Sequence, residues 1–544
     1  MPKPPPEDLA ATAAPSSRAT PTAMGKWIAT IGGYTMGSRV LGFLRDILIA
    51  SSLGAGPIAD AFFIAFKLPN FLRRLFAEGA FNAAFVPLFA GELEKNGARA
   101  AREFAEEALA ALLLLLILVV ALGQILMPWL MYGLAPGFSA DPEKFDLTVQ
   151  LTRITFPYIL FISLVSLLGG ILNSLYKFAA AAATPILLNV CLILSLVVLS
   201  RWTETPGHAL AVGVSVAGIV QFIWLIVACD RAGIRLRLLW PRLTPRVQRL
   251  LVLAAPAAVG AGVAQINLVV DVIIASFLPE GSVSFLYYAD RINQLPLGVV
   301  GVAVGTALLP LLSRQLRAGE SDAAMESQNR ALEGALLLAL PATAALIVVG
   351  GPVVSVLFER GAFTLGNTSA TAQALTAFAA GLPAFVLIKV LAPAYFARQD
   401  TRTPVRIAIL CLATNVALNL ALMGPLGHVG IALATSLSGW LNAGLLGLGL
   451  YRRGHLRLDR RLRRRSLGFV GASLAMAAAL WAMATALDGS LGGSLGLKIG
   501  ALLALVGAGI IVYFAVARAC GAFHPAELRA LFRRSASAVE TKNS

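Results

Sequence analysis

Residues 38–78 of this 544-residue chain carry Arg39, Arg45, Asp46, Asp60, Lys67, Arg73, Arg74 and Glu78 inside two stretches otherwise apolar enough to cross a membrane. An arginine at the bilayer centre costs about 2.5 to 3.5 kcal/mol on insertion scales, so these charges should line a wet space and not lipid. At 1.5 Å of rise per helical residue, Arg39 and Arg73 lie roughly 20 Å below the outer surface, and Arg45 and Arg291 roughly 12 Å below it. Two tiers of cations result. Arg39, Arg45, Arg73 and Arg291 outnumber the carboxylates at their depths, which suits an anion, and the guanidinium fork matches phosphate oxygens. Asp60, Lys67, Asn70, Arg74 and Glu78 fall on one stripe of a helix. Asn70 and Asp290 complete the candidate substrate-binding set. Arg45 and Asp46 are adjacent, and adjacent helical residues do not face each other, whereas Arg74 and Glu78 stand at pairing distance.

A second constellation is Asp271, Asn415, Asn419 and Thr435, oxygen-bearing side chains of the kind that hold a hard cation such as Na⁺. An interhelical hydrogen-bond cluster is the competing reading, because only Asp271 is charged. Catalytic chemistry finds no support. His208, His428, His455 and His524 are scattered, no phosphate-binding glycine loop occurs, and Cys191, Cys229, Cys411 and Cys520 lack ligand spacing, reading as free thiols. No enzyme and no organic cofactor is expected; Na⁺ is the one coupling ion suggested, with the membrane potential as the other driver.

The elements that position these residues are transmembrane helices. Hydrophobic residues make up 58% of the chain and charged ones 13%, and apolar runs of about 20 residues, the length one crossing requires, recur from end to end. Fourteen helices are predicted at 26–53, 57–90, 104–134, 147–174, 178–200, 207–229, 247–278, 283–313, 330–358, 370–397, 404–424, 427–451, 466–487 and 495–518. The net charge of +16 comes from arginines clustered between apolar runs, in 230–249 and 452–465, while the opposite side holds little beyond Lys144, Arg201 and Arg360. That asymmetry is the positive-inside pattern with both termini cytoplasmic, and it argues against nucleic acid as a partner.

An internal repeat organises the helices. RDILIASSL around Asp46 matches VDVIIASFL around Asp271 at an offset of 225, and Asn70 and Pro87 match Asn293 and Pro310 at 223. Tyr176 with Thr184-Pro185 matches Tyr395 with Thr403-Pro404 at 219, the pairs being read as helix openings. Two six-helix repeats in parallel orientation follow, with two added C-terminal helices. The chain divides into a disordered cytoplasmic tail (1–24), an N-terminal half (25–230), a basic linker (231–246), a C-terminal half (247–452), helices 13 and 14 (453–519) and a cytoplasmic tail (520–544).

The runs SRVLGFLRD, DAFFIAFKLPNFLRRLFAEGAF, YYADRINQLPLGV and APAYFARQDTRTP resemble the MurJ (MviN) family of lipid II flippases, within the superfamily of multidrug and polysaccharide exporters. The resemblance covers predicted helices 1 to 12. It implies transport of undecaprenyl-diphosphate-linked disaccharide-pentapeptide across the bacterial inner membrane for peptidoglycan synthesis, by a protein working as a monomer among membrane lipids and cell-wall synthesis proteins. It further implies that Arg39, Arg45, Asp60 and Arg291 are central to function and that Arg73 and Glu78 line the same cavity. Another lipid-linked oligosaccharide shares the charge argument. A multidrug exporter would need surplus intramembrane carboxylate, and a channel or scaffold would need neither the repeat nor the cavity charges.

Overall fold

The computed structural model describes residues 21–74 and 81–523, and side chains outside 21–29, 258–268 and 299–307. Regular structure among them is helical throughout: α1 (Pro21–Leu53), α2 (Pro57–Leu72), α3 (Asn82–Leu134), α4 (Pro142–Thr155), α5 (Tyr158–Ser174), α6 (Phe178–Val198), α7 (Pro206–Arg231), α8 (Pro245–Ala275), α9 (Ser282–Arg317), α10 (Ser321–Phe358), α11 (Leu365–Phe396), α12 (Arg402–Arg452), α13 (Arg460–Ala486), α14 (Asp488–Leu491) and α15 (Leu495–Ala519). Pro57, Pro142, Pro206 and Pro245 open four of them, where a missing N–H goes unused. Asp141, Thr205, Thr364 and Asp459 cap four with side-chain oxygens.

This is an all-α polytopic membrane protein. Nine helical stretches among the described residues are long and apolar enough to cross a bilayer. On α3, Leu118, Leu122, Ile125 and Trp129 stand 57–68% exposed, a face that only lipid would cover without penalty. Two stretches, at 53 and 51 residues, exceed one crossing. Each is broken at a glycine with positive φ, Gly97 (φ 79°) in α3 and Gly427 (φ 55°) in α12, a conformation that a side chain would resist.

Several expected boundaries move. The loop expected over 91–103 is helical on both sides of Gly97. α1 begins at Pro21, inside the segment assigned to the disordered tail, and α10 begins at Ser321, nine residues before its predicted start. The helix expected over 57–90 gives way after Leu72 to a π-helical turn at Arg73 and Arg74. Glu78, residues 1–20 and residues 524–544, with His524, lie outside the described residues.

The offset of 219 in the repeat is also corrected. Tyr176 and Gln399 both have φ of 60°, and each sits in the same helix-ending turn: Lys177 N–H donates to Leu172 O (2.8 Å) and Asp400 N–H to Tyr395 O (3.0 Å). Tyr176 therefore corresponds to Gln399, a spacing of 223 in step with Asn70 and Asn293, and Tyr395 corresponds to Leu172. Thr403 stands second in α12, but Thr184 is a full turn and more inside α6. A shift of one helical turn brings apolar residues back onto the same face, which is how the false match arose.

Two compact units partition the chain, one running to Ile273 and the other from Ile274. In the first, α1 packs on α6, α6 and α5 on α7, α2 on α4, and α3 on α5. The segment after α7 is tied to α3: Glu106 accepts the Arg237 N–H (3.0 Å), and Glu107 accepts the Thr244 hydroxyl (2.7 Å) and faces Arg246 at 3.6 Å. In the second, α11 is packed by α9, α10 and α12, and α10 also receives α13 and α15. Buried Glu333 of α10 takes charge-assisted contacts from Arg330, Arg461 and Arg465, while Arg330 also reaches Asp459. Each unit thus fixes its own arginine-rich segment to a carboxylate of a neighbouring helix.

Candidate functional site

Arg45 lies on α1, which must be close to α6 for the unit to close, and there it is 5% exposed. Its Nε and Nη2 donate to Asp46 Oδ1 at 3.0 and 2.7 Å, and its Nη1 donates to Asn189 Oδ1 at 3.0 Å. The expectation that these neighbours do not pair is overturned. Adjacent Cβ atoms do diverge on a helix, but the arginine arm is long enough to fold its guanidinium back over the Asp46 carboxylate. Asn189 of α6 then donates to the Ser38 carbonyl (3.0 Å), so one amide joins Arg45 to the backbone of α1. Sequence reasoning missed Asn189. Its signal was a lone asparagine inside PILLNVCLIL, and a polar side chain in such a run commonly bonds to a neighbouring helix.

Asp60, in the first turn of α2, is 1% exposed and accepts Lys144 Nζ at 2.9 Å. Lys144, counted from the sequence as a charge of the outer loops, is 6% exposed and sits 4.0 Å from the Phe138 ring. Arg39 is exposed beside Met36 and Val40, and Arg73 is half-buried in its π-helical turn. Such turns concentrate at functional positions because they displace side chains from the regular helical stripe. Asn70 spends its amide on the Phe66 carbonyl of its own helix (2.9 Å). Lys67 and Arg74 are exposed.

In the second unit, Arg291 of α9 donates from Nη2 to the Tyr287 hydroxyl (3.0 Å), its guanidinium 5.0 Å from the Tyr287 ring. Asp290 accepts from Gln294. Tyr288, next to Tyr287, is fully buried against Phe358 (5.0 Å) and Phe363 (5.3 Å) and anchors this stretch of α9.

The motif APAYFARQDTRTP folds as a turn and a cap. Tyr395 donates to the Leu446 carbonyl (2.8 Å), Gln399 takes the left-handed turn, and Asp400 accepts both the N–H (3.0 Å) and the hydroxyl (2.6 Å) of Thr403, with Arg453 at 2.6 Å. The hydrogen bonds from Thr403, then that from Arg453, hold the Asp400 carboxyl well below the usual carboxylate range. Partial burial, then Arg398 and Arg453, lowers the His455 imidazole from its ordinary value.

A family model described as Lipid II flippase MurJ matches residues 49–500. The chain belongs to the MurJ family. Curated relatives named probable lipid II flippase MurJ are 45% identical over 511 residues in Rhizobium tropici and 47% identical over 527 residues in Rhizobium meliloti. Those alignments cover 93% and 95% of this chain, and 96% and 98% of the relatives. A solved MurJ structure, titled as an inward closed conformation, aligns with a TM-score of 0.75 at 27% identity over 89% of this chain and 97% of that one. An inward-facing multidrug MATE-family transporter aligns at 0.63 with 14% identity over 76% and 94%, which shows a shared fold alone.

Within this MurJ-family chain the candidate cation ligands divide between the units. Asp271 is half-buried in the first. Asn415, Asn419 and Thr435 are brought together in the second, where both asparagines are fully buried. Asn419 Nδ2 donates to Asn415 Oδ1 (3.1 Å), Asn415 Nδ2 approaches Thr435 Oγ1 (3.5 Å), and Thr435 donates to the Ile431 carbonyl (3.0 Å). The break at Gly427 lets the chain return so that Thr435 can face Asn415. No group of three or more His, Cys, Asp or Glu gathers at metal-binding distance among the described residues.

Proposed function

We propose that this protein moves lipid II, the undecaprenyl-diphosphate-linked peptidoglycan precursor, from the inner to the outer leaflet of the bacterial inner membrane by alternating access. The observation that carries the reading is the near end-to-end match to relatives named as lipid II flippases, at 45% and 47% identity. Chemistry supports it. A diphosphate cannot enter hydrocarbon bare, and the guanidinium groups of Arg39, Arg45 and Arg291, with Arg73 beside its π-helical turn, replace its hydration while the isoprenoid tail stays in lipid. Asn70 and Asp290 add polar groups to this lining, and buried Asp60 supports it through α2. In this reading the chain crosses the membrane fourteen times with both termini cytoplasmic, works as a monomer beside cell-wall synthesis proteins, and performs transport without catalysis. The test is restoration of growth in bacteria depleted of their own lipid II flippase. Failure to restore growth at normal membrane abundance, with rescue of a strain lacking another lipid-linked oligosaccharide flippase, would transfer the reading to that substrate.

Na⁺ coupling is proposed alongside it, from Asp271 together with the clustered Asn415, Asn419 and Thr435. Asn415 Oδ1 accepts one amide donor and keeps a second lone pair for an ion, while Thr435 Oγ1 lies at the long distance of 3.5 Å from the Asn415 amide. Na⁺ at 100 times its Kd should stabilise the purified protein by about 2.7 kcal/mol, K⁺ should not, and Asp271→Asn should remove the increment. Equal stabilisation by both ions in a thermal-shift titration at constant ionic strength would reduce the cluster to interhelical structure.

A further inference from the structure

Lys144 is the one buried lysine among the described residues. Lysine normally extends its ammonium to water along a flexible stem, yet here every part of the residue is held. Its N–H donates to Asp141, its carbonyl accepts the Thr148 hydroxyl at 2.7 Å, and its ammonium lies 4.0 Å from the Phe138 ring and 2.9 Å from Asp60 Oδ2. The two charged side chains are 5% and 1% exposed. Two apolar groups of similar size would fill this corner without taking an ammonium and a carboxylate out of water. Asp60 meanwhile stands at the start of α2, the helix that carries Asn70 and leads into Arg73.

We propose that Lys144 is a positioning residue for transport: its ammonium fixes the Asp60 carboxylate and with it the outer end of α2 against α4. The need for Asp60 is then a need for the pair, and the carboxylate reaches the transported lipid only through the helix it orients. The proposal rests on the flippase reading above and deepens it. Asp60 acting alone, as a direct ligand of substrate, predicts the opposite behaviour of Lys144.

The experiment is a double-mutant cycle of Asp60→Asn, Lys144→Met and both together, with Lys144→Arg as the conservative variant. Each is read by initial transport rate in depleted cells at matched membrane abundance, and by thermal unfolding of the purified full chain. Each single substitution should cut transport at least tenfold. The double should be no slower than the slower single, and Lys144→Arg should keep most of the rate, because a retained charge is what a merely space-filling lysine would not require. A Lys144→Met protein at the wild-type rate, or losses that multiply in the double, would overturn the proposal. If the wild-type chain itself fails to transport lipid II, the function reading falls. The unfolding cycle still decides the pair: coupled losses support it and additive ones exclude it.

Discussion

Arg45→Ala removes two things together, the cation that the proposed function assigns to an anion and a donor to both Asp46 and Asn189. Breaking a buried ion pair from one side costs about 3 to 5 kcal/mol, so this variant should lower the unfolding temperature as well as abolish growth rescue. Asn189→Leu separates the effects. It keeps the contact of Arg45 with Asp46, removes one acceptor and the bond to Ser38 O, and should cost about 1 to 3 kcal/mol while leaving Arg45 charged and present. Substantial growth rescue by Asn189→Leu, beside none by Arg45→Ala at matched abundance, is the expected pattern. Asp400 supplies a pH test. Its pKa is depressed in the fold, so its contribution to stability is complete above the unfolded carboxylate value of about 3.9 and fades as pH falls below it. Asp400→Asn should therefore destabilise the purified protein at pH 7 and shrink the gap to wild type below pH 4, by thermal unfolding. At this scale the presence of charge inside apolar runs was legible, at Arg45 and Asp60 among others, because it is conspicuous there. Their partners were not, since Asn189 and Lys144 lie 144 and 84 residues away from Arg45 and Asp60.

Helices reveal themselves through hydrophobic length, and so the apolar spans were legible while their ends were not. Polar helical extensions such as Ser321–Arg330 carry no membrane signal, and α3 and α12 run through their expected ends because a single left-handed glycine changes direction without loosening the helix. The positive-inside pattern is one role of the arginine-rich segments. Glu333 gives them a second role, holding Arg461 and Arg465 against α10 while the apolar cluster of Val349, Met476, Leu480, Leu505 and Tyr513 packs farther along the same helix. Tyr513 adds a hydrogen bond to the Leu337 carbonyl (2.8 Å), and Lys498 of α15 meets Glu359, just past the end of α10, at 2.9 Å. Helices α13 and α15 are thus fastened to α10 near both of its ends. Glu333→Gln should cost about 3 kcal/mol, as removal of one partner from a buried network does. Glu359→Gln, at a partly buried site where the amide oxygen can still accept from Lys498 or Thr368, should cost less, about 1 kcal/mol. Comparable unfolding temperatures for the two variants would show that the Glu333 network carries no such weight.

A chain that flips a lipid head group must offer its polar residues to one side of the membrane at a time, whereas a pore offers them to both. Ser38 and Asn70 suit this test because they belong to the stretches that carry the arginines, and neither side chain is fully buried. Of the four native cysteines, Cys229 and Cys411 are buried, Cys191 is half-buried and Cys520 is exposed, so Cys520 is the thiol whose removal matters most to the background. In a cysteine-free chain that still restores growth, Ser38→Cys and Asn70→Cys should react with a membrane-impermeant thiol reagent from the cytoplasmic side. Outer reactivity should stay low in resting vesicles and rise only when lipid II and the driving gradient are both supplied. Arg291→Ala should abolish that rise without changing cytoplasmic labelling, because under the proposed function it removes a guanidinium from the diphosphate and leaves the first unit untouched. Simultaneous labelling from both sides in resting vesicles would describe a channel and contradict alternating access.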